Sequence, residues 1–188
     1  MNPPPESLRA DAQQNRSRIL DVARKALTAD PEASLNSIAK LAGVGPGTLY
    51  RHFPNRGALV LEIYRQEIQQ MVDLAPALIA EHPPLIALRL WFDRMAYYGR
   101  IKHSVADALH AVMNESIQGE TYGPMVGAIG QLLRAGEQAG VIRQGVDAED
   151  LLLLMGFLWR TPPGHDGEVR TERLLDLVVE SLKAPPSA

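Results

Sequence analysis

Apolar residues recur with helical spacing through most of this chain. Ile19, Leu20, Ala23, Ala26 and Leu27 fall at i, i+1, i+4, i+7 and i+8, one face of a helix that Asp30-Pro31 would stop. Ser34 is a good N-cap for a short helix whose Leu35, Ile38, Ala39 and Ala42 share an apolar face, and Gly43 ends it. Gly45 and Pro46 open another short helix, with Leu49 and Phe53 pointing inward, and Pro54 closes it after barely two turns. Asn55 then caps a longer helix through Leu59, Leu61, Ile63, Tyr64, Ile68 and Met71, which Pro76 either kinks or ends. Beyond His82-Pro83-Pro84 the pattern predicts helices over 84–100, 103–116, 122–139, 147–160 and 167–183, punctuated by Gly99, Gly119, Gly140, Gly145 and TPPGHDG. No stretch alternates with period two long enough for a strand. The expectation is an all-α chain: a disordered tail over 1–13, a three-helix helix-turn-helix unit over 14–60, a larger helical bundle over 61–183, and a disordered tail over 184–188.

Composition narrows the class. The 188 residues are 46% hydrophobic and 22% charged, an ordinary globular balance. With no cysteine, disulfides and thiolate metal sites are excluded. The N-terminus lacks the apolar core of a signal peptide. The longest apolar run, LLLLMGFLW, is half of the roughly 18 residues a membrane span requires, so a cytoplasmic protein without membrane contact is expected. The net charge of −3 argues against a general nucleic-acid binder, but it is unevenly spread. Residues 1–70 carry nine Lys/Arg against seven Asp/Glu, and no acidic residue lies between Ser34 and Ala58, where Lys40, Arg51, His52 and Arg56 sit. A basic patch on an acidic protein suits an anion- or DNA-binding face.

The stretch AGVGPGTLYRHFPNRGAL, residues 42–59, carries that patch. Its glycines resemble a phosphate loop, but a Walker loop needs Lys-Ser/Thr after the last glycine, and a dinucleotide fingerprint needs a preceding strand. Two short helices joined by a tight glycine turn make a helix-turn-helix instead. The second helix then turns Pro46, Gly47, Thr48, Tyr50, Arg51 and His52 away from the core. Gly47 and the N-terminal N–H groups permit close approach to a phosphate. Thr48, Tyr50 and His52 can bond base edges or backbone, Arg51 can read guanine or clamp a phosphate, and Arg56 opens the next helix. A purely structural turn would not require that exposed polar face.

The run SLNSIAKLAGVGPGTLYRHFPNRGAL resembles the DNA-binding unit of the TetR family of bacterial transcriptional regulators. The resemblance rests on Ile38-Ala39, Ala42-Gly43-Val44, Gly47-Thr48-Leu49-Tyr50 and His52-Phe53-Pro54, and is strong over about residues 15–64. Arg56 stands where the family usually has lysine, and Gly45 where it usually has Ser or Thr. The rest is similar in helical layout, including AGVIRQGVDAEDLLLL. The resemblance implies a homodimer whose recognition helices enter successive major grooves of a palindromic operator, and Ser34, Gly45, Pro46, Gly47, Thr48, Tyr50, Arg51, His52 and Arg56 are the candidates for the DNA contact. It implies a small-molecule effector and no catalysis or cofactor.

The C-terminal part offers matching surfaces. Helix 147–160 starts with Asp147 as cap and Glu149 and Asp150 in its first turn, then turns apolar all round. It needs cover on both sides, either from its own bundle or from a second copy, with Leu153, Phe157, Leu174, Leu175, Val178 and Leu182 as interface candidates. Trp91, Met95, Tyr98, His103, His110, Met113, Tyr122, Met125 and Phe157 could line an effector pocket, or be plain core. His103, Asp107 and His110, at i, i+4 and i+7, could hold Zn²⁺ or Ni²⁺, or lie on an exposed face. The expected function is a ligand-responsive regulator, most simply a repressor. A helical enzyme is the rival, although no nucleophile–base pair stands out, and a fold that has lost DNA binding is another.

Overall fold

A computed structural model of the chain describes residues 5–104, 109, 111, 115–162 and 164–185. Its helices are α1 (Pro5–Ala29), α2 (Leu35–Leu41), α3 (Pro46–His52), α4 (Arg56–Glu81), α5 (Pro84–Ser104), α6 (Glu115–Gln138), α7 (Ala148–Leu154), a 3-10 turn (Met155–Trp159) and α8 (His165–Leu182). Among the described residues the sole extended pairing is an isolated bridge between Ile142 and Lys183. The all-α expectation holds.

The chain forms two compact units, Met1–Arg65 with Ile101–Met113, and Gln66–Arg100 with Asn114–Ala188. The division falls inside α4 rather than after residue 60. The reason is packing: Ile63, beyond that point, and Leu109, far along the chain, are buried in the first core. That core joins Ile19, Leu20, Ala23 and Leu27 of α1 to Ile38 and Ala39 of α2, Leu49 of α3, and Leu59 and Val60 of α4. Within the first unit, Arg16 pairs with Glu62 at 2.7 Å and lies 5.6 Å from the centre of the Phe53 ring. Thus α1 is fastened to both α4 and the end of α3.

Several element boundaries differ from the pattern reading. Helix α1 begins at Pro5, inside the expected tail; a proline is tolerated in a first turn, and the residues after it are ordinary helix formers. Residues 1–4 and 186–188 of the expected tails lie outside the described residues, while Ala184 donates its N–H to the Val141 carbonyl at 3.0 Å. Helix α4 runs through Pro76, and α5 runs through Gly99 to Ser104. Most of the expected 103–116 helix lies outside the described residues. Helix α6 starts at Glu115 and crosses both Gly119 and Pro124, so the break expected near 117–121 is absent. Each interior glycine costs only about 1 kcal/mol against alanine, which packing of Met125, Ala128, Ile129, Leu132 and Leu133 offsets. The 147–160 segment is one short α-helix followed by a 3-10 turn.

In the second unit, polar contacts fix the helices that the apolar core brings together. Buried Trp91 donates its indole N–H to the Met71 carbonyl at 2.8 Å. Glu67 of α4 is 1% exposed, and Arg94 of α5 reaches it at 2.7 Å while also bonding Gln70 at 2.9 Å. Arg89 of α5 bonds Asp93 and, on α8, Asp176. Burial lowers the Arg89 pKa, but the hydrogen bonds and charges of Asp93 and Asp176 outweigh this and raise it, so the link stays ionised. Gly136 leaves room for Ile142, whose side chain would lie 2.3 Å from an added Cβ. That contact holds the α6–α7 connection, which Arg143 ties to the Leu182 carbonyl at 2.9 Å.

Two outcomes follow from this packing. Arg94→Met leaves a buried carboxylate without its cation and lowers unfolding stability by about 3–5 kcal/mol, whereas adding Glu67→Met recovers much of it; urea titrations of the single and double variants measure the difference. Gly43, at φ +65°, needs the left-handed region, while Gly45 has ordinary extended backbone and open space where a Cβ would stand. Gly43→Ala therefore costs about 1–2 kcal/mol, and Gly45→Ser, by supplying a missing cap, stabilises by about 0.5 kcal/mol in the same titration.

Candidate nucleic-acid interface

The candidate interface is built on α2 and α3, each seven residues long. Ser34 caps α2 by accepting the Ser37 N–H at 3.1 Å, and the Ser37 hydroxyl donates back to the Ser34 carbonyl at 2.8 Å. The turn bonds Gly43 N–H to Lys40 O and Val44 N–H to Ala39 O. Gly45 then caps α3 with no side-chain bond, and Pro46 occupies its first turn. Leu49 and Phe53 are buried. Because those two positions point inward, the helix presents its other face to solvent.

That outward face carries the residues singled out from the sequence. Gly45, Pro46, Gly47, Tyr50 and Arg51 are exposed, and Thr48 and His52 are half-buried. Tyr50 is 44% exposed, a large aromatic side chain held out of a core that lies one residue away. Arg51 donates its Nε–H to the Gly47 carbonyl at 3.1 Å, which fixes the guanidinium stem along α3 and leaves its Nη hydrogens for other acceptors. His52 packs tilted against Phe53, with ring centroids 6.2 Å apart. Ser34 is exposed, but its hydroxyl is engaged in capping.

Arg56 behaves differently. It is partly buried, and its guanidinium donates to the Ala33 carbonyl at 2.6 Å and to the Pro31 carbonyl. Sequence reasoning missed this contact. Lys40, in the last turn of α2, is exposed, as is its neighbour Leu41 at 65%. Both add to the surface beside α3 in sequence, and neither was singled out as a site residue, although Lys40 was visible in the charge count.

The other candidate residues divide. Trp91, Met95, Tyr98 and Met125 are buried, Phe157 is half-buried, and Tyr122 is 46% exposed. Tyr98 stands edge-on to Trp159 at 5.6 Å, and Gly99 admits the indole, which an added Cβ would meet at 2.8 Å. A water-sized cavity of about 20 Å³ and a shallow groove of about 360 Å³ lie elsewhere, beside Thr161 and Thr171 and beside Ile79 and Arg134 respectively. The side chain of His103, with Asp107, His110 and Met113, lies outside the described residues, and so does the candidate metal triad. Of the interface candidates, Leu175, Val178 and Leu182 are buried in their own unit. The helix phase explains it: those three lie at i, i+3 and i+7, so the opposite stripe of α8 faces out. Leu153 and Leu177 are 78% and 66% exposed, as is Leu154 at 56%, and Leu174 is half-buried.

Comparison with known proteins agrees with this geometry. Residues 19–63 match the family model described as bacterial regulatory proteins, tetR family. Residues 83–184, more than half of the chain, match that of the transcriptional regulator SbtR-like C-terminal domain. A TetR transcriptional regulator from Streptomyces coelicolor is 37% identical, over 92% of this chain and 99% of that one, with a TM-score of 0.80. The TetR transcription regulatory protein from Mycobacterium vanbaalenii is 30% identical, over 94% and 99%, with a TM-score of 0.77. An HTH-type transcriptional regulator of Staphylococcus aureus is 38% identical over 63 residues, 32% of this chain, and that segment spans about a third (34%) of the relative's length. No helix among the described residues is long and apolar enough to cross a membrane. A helix-turn-helix with an exposed reading face, joined to a helical second unit and matched along nearly the whole chain, places this protein in the TetR family of transcriptional regulators.

Proposed function

We propose that this chain is a repressor that binds a palindromic operator as a homodimer and is released by a small-molecule effector. The observation that carries the DNA-reading part is the outward face of α3: Tyr50 and Arg51 exposed, Gly47 without a side chain, and no acidic residue from Ser34 to Ala58. A cationic face of this size suits the edge of a major groove, where Arg51 can bond guanine O6 and N7 or a phosphate, and Tyr50 a base edge or phosphate. Ser34, Gly45, Pro46, Gly47, Thr48 and His52 complete the contact surface, and Lys40 extends it. Two such heads on one dimer read half-sites about 34–36 Å apart or a multiple of that.

Support for the dimer is the exposure of Leu153 and Leu154 on α7 and of Leu177 on α8, with Leu174 half-buried. Strongly exposed leucines are costly in a monomer and suit surfaces that a partner covers. The effector reading rests on the second unit's buried aromatic and methionine side chains, Trp91, Met95, Tyr98 and Met125, with Phe157 beside them in the candidate set. Effector binding there would favour a conformation whose head spacing misfits the operator. A coupling of about 1–3 kcal/mol weakens operator binding about 5- to 150-fold.

Selecting genomic fragments on the purified protein, then repeating the binding with candidate effectors, tests the whole scheme. On a selected fragment, Tyr50→Ala lowers specific binding more than binding to random DNA, and Arg51→Ala lowers both and reduces the salt slope by about one unit. Wild-type behaviour of both variants would remove α3 from the interface. Leu153→Glu combined with Leu177→Glu shifts the sedimenting species from dimer to monomer, with a dissociation constant raised at least about 100-fold; an unchanged dimer would place the interface elsewhere.

A further inference from the structure

We infer that Arg56 is a positioning residue that staples the two ends of the helix-turn-helix together and so sets the pose of α3 on DNA; this rests on the DNA-reading function proposed above. Arg56 is the first residue of α4, immediately after Asn55, whose side chain accepts the Ala58 N–H at 2.8 Å. A cation in a helix's first turn opposes the helix dipole, and α4 has no acidic residue there. The residue is held in place by its acceptors: the guanidinium bonds the carbonyls of Ala33 and Pro31, 23 and 25 residues earlier in the chain.

Those carbonyls belong to a turn that is already ordered. Ala33 N–H bonds the Asp30 carbonyl at 3.0 Å, Glu32 N–H bonds the Asp30 side chain at 3.0 Å, and Ala33 is buried. The next residue is Ser34, the cap of α2. The fork therefore fixes the chain where α2 begins to the chain where α3 has just ended. Everything between, Ser34 to Asn55, is a closed loop of two helices each too short to be stable alone. Among the described residues no carboxylate pairs with Arg56. Its two-pronged geometry is what the site uses, and a lysine, a single-point donor, cannot span two carbonyls in the same way. Arg56 acts on DNA through α2 and α3 rather than by spending its fork on a phosphate.

The test uses Arg56→Lys, which keeps the charge, and Arg56→Met, which keeps the stem. Binding of a fragment selected by the wild-type chain is measured against NaCl concentration, and amide hydrogen exchange is measured on the free full-length protein. The clamp predicts that Arg56→Lys, which loses one of the two bonds, weakens binding by about tenfold, the worth of one charge-assisted hydrogen bond, and that Arg56→Met, which loses both, weakens it further. It also predicts that Arg56→Lys leaves the salt slope unchanged, and that amides of residues 34–41 exchange faster in both variants while those of α6 do not. Wild-type affinity in Arg56→Lys overturns the inference. So does a loss of about one unit of salt slope in Arg56→Met with exchange unchanged, which is the signature of a phosphate contact. If the wild-type chain selects no DNA at all, the regulator reading fails by itself, and unchanged exchange over 34–41 in both variants then overturns the clamp independently.

Discussion

A seven-residue α-helix closes about three internal hydrogen bonds, far too few to offset the cost of ordering it. Both α2 and α3 are of that length, so their existence depends on the apolar contacts beneath them. Leu49 and Phe53 supply the anchor for α3, and burying each contributes about 1.5–3 kcal/mol. Gly43, at φ +65°, reverses the chain after α2, so that Val44 folds back to bond the Ala39 carbonyl and start the turn. Once Leu49 and Phe53 are committed inward, the 3.6-residue period leaves no choice about Tyr50 and Arg51. The outward face of α3 is a consequence of the core's geometry.

The second unit is constrained in another way. Its helices are long enough to persist, and what must be specified is which stripe of each goes inside. Along α8, Leu175, Val178 and Leu182 take the core while Leu177 and part of Leu174 remain outside. Asp176, between Leu175 and Leu177, is bonded by Arg89 of α5. The burial of Leu175, Val178 and Leu182 fixes the rotation of α8 about its axis, and the exposed Arg89–Asp176 link is consistent with it. The same helix can thus close its own core and still offer an apolar stripe to a partner.

Most of the first unit was legible because its signals are local and unambiguous. Ser34, Gly43, Pro46 and Pro54 each have one conformation they serve best, and they bracket helices of the length observed. The α3 surface followed directly from that bracketing. In the second unit, Gly119 reads as punctuation, yet α6 runs across it, since tertiary burial outweighs a propensity penalty of this size. The division of the interface candidates between buried and exposed positions has a related reason. Leucines at 174, 175, 177 and 182 all look alike in composition, and only the packed partner helices decide which stripe is inside. Arg56 was invisible as a clamp because its acceptors are backbone carbonyls, and any sequence supplies those.

The energies bear on how release could operate under the proposed scheme. A ligand can shift a conformational equilibrium only by its differential affinity for the two states, and coupling of about 1–3 kcal/mol is usual. Buried Glu67 is bonded to Arg94 at 2.7 Å, and leaving such a carboxylate without a partner is costly. The Trp91–Met71 bond adds to that cost. Under the proposed scheme these two bonds tie the segment of α4 from Glu67 onward to α5. A change of operator fit has to arise from elements less firmly held. Within the first unit those are the short helices, whose pose depends on a few apolar contacts and on the bond from Arg56 to the turn before Ser34.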